Sequence, residues 1–304
     1  HPQRPFSQVP ACHRPFALLA RSPLLASQAP MPIEPILIAE LVALGLVTGF
    51  LAGLLGIGGG MIMVPFISLF LSARGASPGL AVKMAIATSM ATIIFTSLSS
   101  VRAHHKKGAV RWNIVARLAP GIVLGALVAS LGVFSLLKGA ALYFVFAIFV
   151  LFSAVQMFLN KKPAASRQMP GTAGQLGAGS VIGFLSGLVG AGGGFISVPF
   201  MTWCNVPIHN AVATSAALGF PIALSNVLGY IIAGQGLEGA PAYSFGYLWL
   251  PALVVIASCS VLMAPLGARA AHALPVARLK RAFAGVLFLL ALYMLNKGIG
   301  ALAG

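Results

Sequence analysis

Aspartate does not occur in this 304-residue chain, and Glu34, Glu40 and Glu238 are its only acids. No carboxylate therefore falls in any apolar stretch after Glu40, so a cation pathway or a carboxylate proton relay through a membrane has nothing to use. Nucleophile, base and orienting acid are nowhere found together, which leaves catalysis without machinery. Cys12, Cys204 and Cys259 show neither metal-ligand spacing nor even pairing, arguing against zinc and against a disulfide framework. Gly-Lys-Ser and Gly-Lys-Thr are missing, and with them the phosphate cradle of ATP-driven machines. Neither a cofactor nor ATP is expected.

Charge of either sign is scarce. Charged residues make up 7% of the chain, against about 25% in soluble domains. With 59% hydrophobic residues and a mean hydropathy of +0.98, the composition is that of a multi-pass membrane protein whose solvent is the lipid bilayer. The formal charge of +16 comes from 19 Lys and Arg, set mostly in short loops. Cationic loops beside apolar segments read as topology signals and not as a nucleic-acid footprint.

Residues 1–30 stand apart, with six prolines, three arginines and no apolar run long enough to span. Met31 directly precedes the first hydrophobic segment, so residues 1–30 are expected to be a non-native or disordered leader, with an organelle transit peptide as the lesser reading. Apolar runs then cover 36–55, 61–71, 80–101, 112–134 and 140–159. A polar linker over 161–173 follows, and the pattern resumes at 175–189, 195–205, 209–233, 244–266 and 279–295. The expected organisation is a first transmembrane repeat over 31–160 and a second over 174–304, with five helical segments in each. The second segment of each half is short of the roughly 20 residues a span needs.

The halves are related in sequence. Gly45–Phe66 (GLVTGFLAGLLGIGGGMIMVPF) aligns without a gap on Gly179–Phe200 (GSVIGFLSGLVGAGGGFISVPF) with 15 identities in 22 positions. Gly45, Gly49 and Gly53 recur every four residues, as do Gly179, Gly183 and Gly187, a small-residue stripe suited to close helix packing. The clusters that follow, Gly56 with Gly58, Gly59 and Gly60, and Gly190 with Gly192, Gly193 and Gly194, must break a helix. A break inside a bilayer frees amides that hydrocarbon cannot satisfy, so such backbone has to line protein or a wet cavity. A helix starting after the break would aim unpaired N–H groups at that cavity and favour an anion. A simple tight hairpin is the plain alternative. A dinucleotide fingerprint fails for lack of the preceding strand and the downstream acid.

Loop charge is reversed between equivalent positions. The loop RAHHKKGAVR between the third and fourth segments carries Arg102, Lys106, Lys107 and Arg111, whereas its counterpart near 234–243 holds only Glu238. The next loop carries Lys138 alone in the first half but Arg269, Arg278, Lys280 and Arg281 in the second. With positive loops inside, the halves have opposite orientation, which an odd number of crossings per half produces.

A second repeated element, AIATS at 85–89 and AVATS at 211–215, sets the hydroxyl pairs Thr88, Ser89 and Thr214, Ser215 about one turn beyond Lys83 and His209. Together they offer donors to an anion. Helix packing with back-bonding to carbonyls accounts for the hydroxyls equally well, and snorkelling to the headgroups for Lys83 and His209. Asn226 is expected to pair with backbone, and His104 and His105 to be solvated.

The doubled G-F-x-x-G-x-x-G-x-G-G-G pattern with its downstream Val-Pro and Ala-Thr-Ser elements resembles the TauE/SafE family, over about residue 36 to the C-terminus. The resemblance implies an all-α polytopic bundle in the bacterial cell inner membrane that exports sulfite, sulfoacetate or related sulfur anions. An anion channel and a non-transporting scaffold are the alternatives. A scaffold leaves the doubled broken helices unexplained.

Overall fold

The computed structural model describes residues 34–56, 58–159, 168–237, 239–273 and 276–303. The leader 1–30, the linker cations Lys161, Lys162 and Arg167, Glu238, and the side chains of Arg278 and Lys280 lie outside what it describes.

Among the described residues ten helices make up the first-half and second-half segments in order: α1 (Pro35–Leu55), α2 (Gly60–Ala73), α3 (Pro78–His105), α4 (Trp112–Leu136), α5 (Gly139–Leu159), α6 (Thr172–Val189), α7 (Gly194–Trp203), α8 (Ile208–Ala233), α9 (Leu250–Ala273) and α10 (Val276–Ala303). Eight are long and apolar enough to cross a membrane; α2 and α7, at 14 and 10 residues, are not. Within α4, residues Val128–Val133 widen into a π-helical turn.

Two connections depart from the hydropathy reading. Residues 244–249, expected as helix, form instead a small hairpin of β1 (Ser244–Phe245) and β2 (Leu248–Trp249). Gly246, with φ of 58°, opens its two-residue loop, where a tight hairpin needs positive φ. The basic segment 267–281, expected as a loop, is largely helical, because α9 continues to Ala273 and α10 starts at Val276. Its apolar neighbours keep the helix going past Arg269.

The glycine stripes decide which helices touch. Gly45 faces Ile256 and Cys259, Gly49 faces Ser260, and Gly53 faces Ala264. Rising numbers on α1 meet rising numbers on α9, so the two lie parallel with backbones nearly in contact. Gly179, Gly183 and Gly187 of α6 meet Leu118, Ile122 and Ala129 of α4 in the same way. Each stripe thus packs on the fourth helix of the other half. Helix α5 lies against α10. Helices α3 and α8 form the centre, with 72% and 61% of their apolar windows buried against 33–44% elsewhere. Gly219 of α8 sits beside Ser97 of α3, while Asn210, nine residues earlier, donates to the carbonyl of Ala109 beyond the end of α3. Numbers here run in opposite senses, so α3 and α8 are antiparallel.

Candidate functional site

Both glycine clusters break their helices as expected, and the breaks cross. Helix α1 ends on Gly56 (φ 68°), whose N–H donates back to the Ala52 carbonyl; α6 ends on Gly190 (φ 72°), donating to Ser186. Gly59 and Gly193, each at φ 75°, then cap the amino ends of α2 and α7, with Gly60 and Gly194 as first helical residues. This left-handed backbone is one that residues with a Cβ rarely adopt. Space imposes the same choice at Gly60, because a Cβ there would overlap the Gly190 carbonyl. At Gly58 a Cβ would come within 3.1 Å of Gly192 Cα.

A small cavity of about 10 Å³, room for roughly one water, lies at this crossing. Gly56, Gly58 and Gly192 supply its backbone wall, and Ala52, Ala216 and Gly219 keep it open by being small. Hydroxyls of Thr96, Ser97 and Ser100 from α3 and of Ser215 from α8 supply its polarity. Among the described residues, none that lines it is charged. Thr96 donates to the Thr92 carbonyl and Ser97 to that of Ile94, each at 3.0 Å. Ser100 Oγ has no hydrogen-bond partner among the described residues, although the residue is only 2% exposed.

The structure divides the residues expected at the site. Gly56, Gly58, Gly192 and Ser215 line the cavity; Gly59, Gly60, Gly190, Gly193 and Gly194 shape the breaks around it. Ser215 donates to the Gly56 carbonyl (3.0 Å) and accepts from Ser197 (2.8 Å), while Ser89 donates to the Gly190 carbonyl (3.1 Å). Thr88 accepts from the Trp249 amide at the start of α9, and Thr214 from the Arg111 amide at the start of α4, both at 3.0 Å. In each half, then, the serine ties a broken helix of the other half and the threonine ties a fourth helix.

Lys83 is not brought to the cavity. Its Nζ donates to the Ser135 carbonyl at 3.2 Å and lies 5.7 and 5.8 Å from the ring centres of Phe134 and Tyr247. His209 is exposed. His104 departs from the expectation of a solvated side chain: it is 1% exposed and its Nε2 lies 3.2 Å from the Gly53 carbonyl. It sits in the last turn of α3 and faces inward against α1, not out with the loop. Asn226 pairs with backbone as expected, its Nδ2 donating to the Ile222 carbonyl at 2.8 Å.

Thr96, Ser97 and Ser100 do not belong to the repeated elements, because the second half does not share them. Carrying the Ala-Thr-Ser alignment along α8 sets Ile222, Ala223 and Asn226 opposite them. A run of four hydroxyls in five residues, Thr96-Ser97-Leu98-Ser99-Ser100 inside an apolar segment, was the available signal.

The profile of the family described as "Sulfite exporter TauE/SafE" matches residues 41–294. A probable membrane transporter protein of Haemophilus influenzae is 36% identical over 255 residues, covering 83% of this chain and 96% of that protein. A probable membrane transporter protein of Methanocaldococcus jannaschii is 26% identical over 86% of this chain and 96% of its own length. A third, from Bacillus subtilis, is 29% identical over 64% of this chain. No solved structure matches the chain.

Proposed function

The chain belongs to the TauE/SafE family of membrane transporters, and from that premise we propose that it exports small sulfur-containing anions, such as sulfite or sulfoacetate, across a bacterial inner membrane. The carrying observation is the cavity at the crossing of the two glycine breaks, walled by backbone and hydroxyls and free of charge among its described lining residues. Bare backbone at membrane depth persists only against protein or a wet cavity, and hydroxyls there have protons to offer an oxyanion. A cation in such a cavity would meet no carboxylate.

Two homologous repeats of opposite orientation are part of the proposal. Parallel packing of α1 on α9 and of α6 on α4, with α3 antiparallel to α8, supports it. In that architecture the site lies at the repeat interface and alternating access comes from rocking one unit against the other. The small free space in the cavity fits a closed state. A membrane potential of 100 mV, negative inside, favours exit of one negative charge by about 2.3 kcal/mol, so export needs no coupling ion.

Efflux of sulfite and small sulfonates from liposomes containing the full chain tests the reading. Saturable efflux that responds to an imposed potential and shows counterflow is expected. Absence of flux for every sulfur anion would overturn it, and unsaturable flux without counterflow would identify a channel.

A further inference from the structure

We propose that Ser100, flanked by Thr96 and Ser97, is the anion-coordinating face of the central cavity, and that this face selects compact oxyanions carrying a single charge. The inference rests on the transport reading and adds to it the residues and the charge state.

Ser100 Oγ is buried, lines the cavity and has no hydrogen-bond partner among the described residues. A hydroxyl stripped of water without a replacement bond is destabilised, and native interiors rarely retain one. A ligand oxygen in the cavity supplies the missing acceptor. The other hydroxyls are already committed. Thr96 and Ser97 donate to carbonyls of their own helix, and Ser215 is held between Gly56 and Ser197. Thr96 and Ser97 can exchange a carbonyl for an anion at little net change, because one acceptor replaces another. Ser215 cannot turn without uncapping α1. Ser100 therefore holds the proton that is free to give, with two helpers on the adjoining turn.

Charge selection follows from what surrounds that proton. The cost of taking an ion out of water rises with the square of its charge, and no described lining residue offers a cation to offset it. Few neutral donors are enough for a hydrogensulfite or a sulfonate. A dianion such as sulfate, or sulfoacetate with both its acids ionised, meets roughly four times the desolvation term with the same donors, which narrows the proposed substrates to hydrogensulfite and simple sulfonates.

The face is also one-sided. The position of Ser100 on α8 is taken by Asn226, which spends its amide on Ile222, turns its Oδ1 to Gly187 of α6 and does not line the cavity. The donor face thus belongs to α3 alone, one turn before His104 and close to the exposed Arg102, Lys106 and Lys107, whose field raises the local anion concentration.

The test uses the full chain in proteoliposomes with methanesulfonate, always a monoanion, beside sulfate and sulfite, and the variants Ser100→Ala, Ser100→Thr and Ser258→Ala, the last on an exposed hydroxyl away from the cavity. Ser100→Ala is expected to raise the KM for methanesulfonate by about tenfold or more, with Ser100→Thr and Ser258→Ala close to the parent. Sulfate is expected to be carried far more slowly than methanesulfonate, and sulfite less well as pH rises through its second ionisation. An unchanged KM in a folded Ser100→Ala protein, or sulfate carried as well as methanesulfonate, overturns the inference while leaving the transport reading intact. Thermal stabilisation of the detergent-solubilised protein by methanesulfonate separates the two ideas. Stabilisation lost in Ser100→Ala supports the site even without flux; no flux and no stabilisation would reject both.

Discussion

The Ser215 hydroxyl on α8 donates to the Gly56 carbonyl at the close of α1, 3.0 Å away and 159 positions earlier in the chain. Ser89 on α3 reaches the Gly190 carbonyl at the close of α6 at 3.1 Å, sharing its proton with the Ile86 carbonyl of its own helix at 2.9 Å. The last carbonyls of a helix have no partner within it, and a break at membrane depth has no bulk water to serve them. Each half therefore caps the broken helix of the other, and each cap adds to the stability of the break.

Removing either bond should cost about 1 kcal/mol, lowering the thermal midpoint in detergent by about 2–4 °C. Ser89→Ala and Ser215→Ala, followed by scanning calorimetry or dye-free fluorescence, measure this. Ser89 lies outside the cavity lining, so its variant should keep the parent KM, whereas Ser215→Ala should change KM as well as stability. Unaltered midpoints in both would mean the carbonyls find other donors.

Gly60 and Gly285 make a second pair. A Cβ on Gly60 would overlap the Gly190 carbonyl, a backbone atom that cannot swing aside, while nothing lies within 4 Å of one on Gly285. Gly60→Ala should cost on the order of 3 kcal/mol or more and remove most folded protein; Gly285→Ala should be tolerated. Monodisperse yield on size exclusion reads both. Normal yield for Gly60→Ala would show that the two breaks do not touch.

Hydropathy located ten helices to within a few residues at most ends, because in a bilayer the length of an apolar run is itself the signal. The breaks were legible too, since three adjacent glycines leave little alternative. What escaped were features set by tertiary contact. Residues 244–249 are as apolar as the helix they precede, and only the turn at Gly246 separates them. His104 sits among cations in sequence, yet helical geometry turns it inward to Gly53. The hydroxyls lining the cavity were hidden for a different reason: comparing repeats reveals what both halves keep, and Thr96, Ser97 and Ser100 occur in only one.

The proposed opposite orientation of the halves predicts the sides of two loops. Gly108 follows α3 and Gly239 follows α8, and the central helices are antiparallel. Reporter enzymes inserted at these glycines should report opposite faces, with Gly108 in the cytoplasm beside Lys106 and Lys107. Reporters active on the same side would refute the inversion.

Lys83 tests how far the anion's surroundings extend. It stands thirteen residues before Thr96 on one helix, about 20 Å at 1.5 Å per residue, and its ammonium is engaged with the Ser135 carbonyl and two aromatic rings. At that separation a unit charge interacts with an anion by about 1 kcal/mol at an effective dielectric constant near 20. Lys83→Met should then raise KM by less than about fivefold. Its effect on stability should stay below about 1 kcal/mol, since the bond to Ser135 is exposed. Concentration-dependent efflux of methanesulfonate decides the matter. A rise of tenfold or more would mean that the anion passes close to Lys83, so that the cation and the hydroxyl pair one turn beyond it act together and the cavity at Ser100 is one station on a longer route.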